Sequence, residues 1–255
     1  MVPQNNPPLL SRAYAWFSAL LNDDTTQLDA LLAHGVPIDT IHPLRHSTAL
    51  MEATRLGRAG TVQWLIERGA TPAFLCGLPP ATALHCALRR QHWDIASLLA
   101  SAMHSCAVID AYGATPLHVL CTEAVHIRDH TISLGLAAIL FAKSCPLDAL
   151  DHEGTTALHH CVINDAQELA TLLLRYNANP NALIPDSHVS PLAIAALEKN
   201  IEMARLLLQH GADPHLRTRE GSSPVSIYPA IAPLVNEGHA MRGEMLYTPV
   251  STQLH

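Results

Sequence analysis

The stretch TALHHCVINDAQELATLLLRYNANP, residues 156–180, decides the fold. It opens on Thr156, a hydroxyl residue ahead of a short apolar run. Such a residue accepts hydrogen bonds from amides that a helix's first turn leaves unpaired. Leu158 then points into a core, and the small Cys161 lets a neighbouring helix approach closely. After a polar break, Leu172, Leu173 and Leu174 give a second helix its buried stripe. Asn177 follows as one of the few non-glycine residues that end a helix in the left-handed region. The stretch reads as two short helices and the turn after them.

The same reading recurs along the chain. TALMEA starts at Thr48, TALHCA at Thr82, TPLHVL at Thr115, SPLAIA at Ser190 and SPVSIY at Ser223. Successive starts, with Thr156 included, differ by 34, 33, 41, 34 and 33 residues, so four of five intervals fit one period. A second landmark closes several copies: RGATP at Arg68, YNANP at Tyr176, HGADP at His210, and HGVPID at His34. Gly69 and Gly211 take the place of Asn177 there. Pro116, Pro191 and Pro224 stand at the first helical position, where a missing amide proton costs nothing. A fixed period of this length is the mark of a stacked repeat protein.

With these landmarks in phase, the chain resembles the ankyrin-repeat family, whose repeat carries T-P-L-H-x-A and a Leu-rich second helix ending in G-A-D. The resemblance runs from about residue 11 to 235. It implies an all-α solenoid of stacked helix–turn–helix units joined by hairpin-like turns. Residues 1–43 would form an N-terminal cap with a partial first repeat, 44–235 the repeats, and 236–255 a C-terminal tail. The longest interval places an insertion near 121–135, as a longer loop or a helix extension. The resemblance also implies that His85, His118 and His159 bond backbone near the turns and stitch adjacent repeats together. Met51 and Ala193 depart from that histidine, and the last copy is degenerate, as a terminal repeat can be.

Composition agrees with a helical reading. Hydrophobic residues make up 49% and aromatics 4% of the chain, so the core is built from Leu and Ala packing rather than large rings. The formal net charge is −7, and no basic run exceeds Arg89–Arg90, which argues against a nucleic-acid partner. No stretch reaches the ~18 apolar residues of a membrane span. MVPQNNPPLL lacks the pattern of a secretory signal. Six cysteines without a C-x-x-C pair read as small buried hydrophobes in a reducing compartment, hence a cytoplasmic location, or the host cytosol for an exported effector. Lys143 and Lys199 are the only lysines.

The residues that carry chemistry elsewhere are absorbed by the repeat. Cys161, beside His159 and His160, stands where Ala53, Ala87 and Ala195 stand in other copies, so packing accounts for it. No nucleophile elbow, zinc-protease helix, P-loop or dinucleotide fingerprint occurs. No catalytic residue and no cofactor is expected. Cys121, His126 and His130 in the insertion are the candidate metal ligands, with the two histidines spaced to share a helix face. No further C-x-x-C or acidic cluster completes that set.

Binding then falls to positions not used for stacking. The resemblance implies a protein partner on a concave face lined by first-helix residues and turn tips. By register these are Arg45, Glu52, Arg55, Arg89, Arg90, Tyr112, His152, Glu153, Asp186, His188 and Glu198. The arginines gather in the N-terminal half and the carboxylates beyond it. Tyr112 is the expected anchor, since the repeat does not demand an aromatic there and aromatics dominate interface energetics. Trp64 is expected in the core. The leading expectation is a protein-interaction module without enzymatic activity. Alternatives are an inhibitor or immunity-type protein that occludes a toxin or enzyme, a host-directed bacterial effector, or a zinc-binding protein acting through the insertion.

Overall fold

The computed structural model describes residues 9–127 and 129–235. Among them there is no β-strand, only isolated antiparallel bridges joining Ile41 to Thr48 and Cys76 to Ala81. The tail expected over 236–255 lies outside the described residues. The chain divides into two compact units at Pro146 and Leu147.

The first unit holds α1 (Leu9–Leu21), α2 (Thr25–Ala33), α3 (Ala49–Arg55), α4 (Ala59–Glu67), α5 (Ala83–Arg89), α6 (Trp93–Ala102), α7 (Pro116–Glu123) and α8 (His130–Ala142). First helices α3, α5 and α7 stack in sequence, α1 packs on α3, and second helices α4, α6 and α8 stack behind them. The second unit holds α9 (Ala157–Ile163), α10 (Gln167–Arg175), α11 (Pro191–Leu197), α12 (Ile201–Gln209) and the short α13 (Pro224–Ile227). There α9, α11 and α13 form the first-helix row, with α10 against α12.

Each first helix is cut to length by the same chemistry. Thr48, Thr82, Thr115, Thr156, Ser190 and Ser223 are N-caps in extended backbone, each accepting from the amide three residues on. Pro116, Pro191 and Pro224 sit at the first helical position. Leu50, Leu84, Leu117, Leu158 and Leu192 are buried, as are the small Ala53, Ala87, Cys161 and Ala195 that set the close helix spacing. In the second helices the stripe is offset by one from the Leu run. In α10 it is Leu169, Ala170, Leu173 and Leu174, and in α12 Met203, Ala204, Leu207 and Leu208. Leu172 and Leu206 lie half-buried at its edge.

Turns supply the backbone that side chains resist. Gly69, Asn177 and Gly211 end second helices at φ of +90°, +65° and +95°. Between the paired helices, Gly57, Gln91, Asp165 and Lys199 occupy equivalent joints, all with φ between +51° and +71°. Gly154 is confined as well as left-handed: at φ +74°, an added Cβ would stand 2.5 Å from Cδ of Pro185. Gly69 has nothing within 4 Å of that position. Gly69→Ala should therefore cost only the ~1–2 kcal/mol of a left-handed L-residue. Gly154→Ala should cost clearly more, because a rigid ring must also move. Denaturant midpoints of the two variants check this, and equal losses would contradict it.

One expectation is made specific and another changes. The insertion becomes a 3₁₀ turn, Ala124–His126, followed by an α8 of 13 residues where other second helices run 9 or 10. Trp64 is only half-buried, because its ring turns outward to carry the Arg68 guanidinium 3.9 Å above it. Arg68 in turn is ion-paired to Asp29 at 2.7 Å.

Candidate protein-binding groove

The groove lies in the first unit, on the first-helix side, with a volume of about 1150 Å³. Its floor comes from α3 and α5 through Met51, Glu52, Arg55, Cys86 and Arg89, and its rim from the turns that carry Leu44, Leu78 and Tyr112. The five expected residues of this half of the chain, with Tyr112, therefore come together around one open space. Leu44 is 74% exposed and Leu78 77%, the two highest values among the large hydrophobic side chains described. Neither was expected from the register. Their signal is local: HPLRH (42–46) and GLPP (77–80) put an aliphatic residue in a turn where the repeat asks for none.

The charges in the groove are ordered by one buried carboxylate. Glu52, expected on the binding face, is only 3% exposed. Its Oε2 accepts from Arg45 at 2.8 Å and Arg55 at 2.7 Å, and its Oε1 accepts from Ser47 at 2.8 Å. Burial alone would raise this carboxyl, but the bonds from Arg55, Ser47 and Arg45 prevail and hold it below the ordinary range. Arg89 is likewise engaged, ion-paired to the buried Asp110. Its guanidinium also lies 5.4 Å from the centre of the Tyr112 ring. Arg90 is exposed, with no carboxylate in ion-pair reach among the described residues. Half-buried Cys86 is kept as a thiol, since burial raises its pKa.

In the second unit His152, Glu153, Asp186, His188 and Glu198 are all exposed. His152 and Glu153 sit in a turn organised by Asp151, whose Oδ1 accepts from the amides of Glu153 and Thr155. Asp186 and His188 occupy the turn closed by Ile184 and Val189, with His188 left-handed at φ +54°.

Of the repeat histidines, His85 makes the bond to the next copy that the resemblance implied. Nε2 of His85 bonds the Ala114 carbonyl of the next copy at 3.0 Å, so it carries the proton, and Nδ1 accepts from the Thr82 hydroxyl at 2.7 Å. His118 and His159 use Nδ1 to accept from the backbone amides of Thr115 and Thr156, completing capping boxes. Burial pushes His159 down to about 4 and holds His85 low as well.

Two further sets of polar side chains are placed by the turns and helix ends. His160 Nε2 lies 2.9 Å from both Asp151 and Thr155, so carboxylate and hydroxyl face the same ring nitrogen. Burial would raise Asp151, but His160 and Thr155 hold it down to about 2, as a turn-closing group. The proposed metal ligands also separate. Cys121 is buried in α7, His126 ends the 3₁₀ turn, and His130 begins α8. The two histidines thus share no helix face, because the helix breaks between them. Among the described residues, no group of three His, Cys, Asp or Glu side chains is placed to hold a metal. No helix among them is long and apolar enough to cross a membrane.

Comparison with known proteins agrees with this architecture. A family profile described as ankyrin repeats matches residues 127–218 as three copies. The B-cell lymphoma 3 protein homolog of Mus musculus is 32% identical over 163 residues, covering 62% of this chain and 36% of the mouse protein. The chain thus spans about a third of that relative's length. Among solved structures, an ankyrin repeat domain from Acinetobacter baumannii superposes with a TM-score of 0.68 at 26% identity, covering 78% of this chain and 99% of that one. The ankyrin repeat domain of Bcl-3, described as a member of the IkappaB protein family, gives 0.63 at 29% identity, covering 75% and 85%. By its repeat period, helix caps, repeat histidines and stacked helix pairs, together with these matches, the chain is an ankyrin-repeat protein.

Proposed function

We propose that the chain is a non-enzymatic protein-interaction module, and that the groove of the first unit receives its protein partner. The observation that carries this reading is the coincidence of two features at one place. The two most exposed large aliphatic side chains, Leu44 and Leu78, flank the same open space as Arg45, Arg55 and Arg90. An exposed apolar rim beside arginine is the composition of an interface rather than of an ordinary solvated face. Tyr112, 56% exposed, supplies the aromatic. His152, Glu153, Asp186, His188 and Glu198 form a second, acidic set of contacts on the other unit. The absence of catalysis is supported by the full burial of His159 and Cys161, which keeps both from meeting a substrate.

The test is a pull-down from lysate of the source cell, comparing wild type with Leu78→Asp. Leu78 is exposed, so the variant should keep its circular dichroism and melting temperature. A stoichiometric partner held by wild type and lost by Leu78→Asp is the expected result. Equal capture by both would place the binding surface elsewhere.

A further inference from the structure

The charge balance of the groove specifies the chemistry of what enters it. Four arginines line it (Arg45, Arg55, Arg89 and Arg90), against one lining carboxylate, Glu52. Asp110 neutralises Arg89 from the buried side, and Glu52 is shared by Arg45 and Arg55. About two positive charges are left over, in a chain whose formal net charge is −7. That surplus is local and runs against the sign of the whole protein. It favours a short anionic group over an extended polyanion, which the remaining negative charge would repel.

Glu52 does more than neutralise. It holds Arg45 and Arg55 in place through hydrogen bonds of 2.7–2.8 Å while leaving their side chains 47% and 35% exposed. Guanidinium groups fixed in this way lose little rotamer freedom when a second carboxylate arrives, which is the advantage of preorganisation. Arg90 stands next to them without a carboxylate of its own. The rim adds the second requirement: Leu44 and Leu78 stay exposed unless the ligand brings aliphatic side chains to cover them.

We infer that the ligand is an extended acidic segment of another protein, with an Asp or Glu side chain engaging Arg55 and Arg90 and flanking aliphatic side chains covering Leu44 and Leu78. This rests on the proposed function and narrows it to one class of partner. Nucleic acid, an extended polyanion, is disfavoured by the charge of the whole chain and leaves the leucines uncovered.

The experiment is selection of a random-peptide display library on the full chain, followed by fluorescence anisotropy of the enriched peptides. Peptides should converge on an acidic residue between aliphatic ones. Arg90→Glu and Leu78→Asp should each weaken them roughly tenfold or more, as truncation of a charged or an apolar anchor does. Raising the salt from low to physiological strength should weaken binding further, as screening requires. Enriched peptides without acidic residues that still lose affinity in Leu78→Asp would overturn the acidic assignment while leaving the groove as the binding site. Enriched peptides insensitive to both variants, or tighter binding of a single-stranded oligonucleotide than of any peptide, would overturn the assignment and the groove together.

Discussion

Replacing Leu158 by alanine lowers the unfolding free energy by about 2–5 kcal/mol, the cost of truncating a fully buried leucine and leaving a cavity. Leu158 has no exposed surface and lies in α9, packed against α10 and α11. Glu153→Ala, five residues earlier on an exposed turn tip, should change stability by no more than about 0.5 kcal/mol. Urea titrations of the two variants beside wild type provide the check. Similar midpoints would mean that the two residues do not stand where the repeat register puts them.

Acid is the second large perturbation. His159 is fully buried with its pKa pushed to about 4 by burial, against the ordinary value of 6.5. The unfolded chain therefore takes up a proton on this side chain at a higher pH than the folded chain does. Above about pH 6.5 the side chain is neutral in both states and its contribution to stability is fully present. It is lost progressively as pH falls from there towards 4, by an amount on the order of 3 kcal/mol. His85, also held low by burial, acts in the same direction. Asp151, held at about 2 against 3.8, loses its contribution only below this window, as pH falls through 3.8 towards 2. Urea midpoints taken from neutral pH to pH 4 should fall steadily. His159→Gln tests the assignment, because glutamine can accept the same capping-box bond but cannot protonate. Its stability should fall less steeply over that range than wild type. An identical slope would remove His159 as a source of acid sensitivity.

What the sequence makes legible follows the range of each interaction. A hydroxyl three residues before the amide it caps is a local device, so Thr48 through Ser223 could be read off directly. So could the burial of Leu50 to Leu192 and the left-handed Asn177. The helix joints at Gln91, Asp165 and Lys199 were not legible, because three different side chains share one backbone conformation that only Gly57 advertises. The groove was half legible. Its arginines follow from register, but the bonds that turn residues Arg45 and Ser47 make back to the buried Glu52 of α3 do not. The exposure of Leu44 and Leu78 depends on what the neighbouring turns leave uncovered, which no periodicity records. His126 and His130 misled because a spacing of four implies one face only where the helix is continuous, and here it breaks.

The turns at Asp110 and Asp151 have a consequence for how such a protein changes over generations. In each, one aspartate oxygen accepts two amides, Tyr112 and Ala114 in the first and Glu153 and Thr155 in the second. The tip residues are therefore gripped by their backbone, and their side chains owe nothing to the grip. Tyr112, His152 and Glu153 can drift from one residue type to another with the scaffold unaltered. Under the proposed function, partner choice and foldedness are inherited separately here, so a lineage can acquire a new target without first acquiring a new architecture.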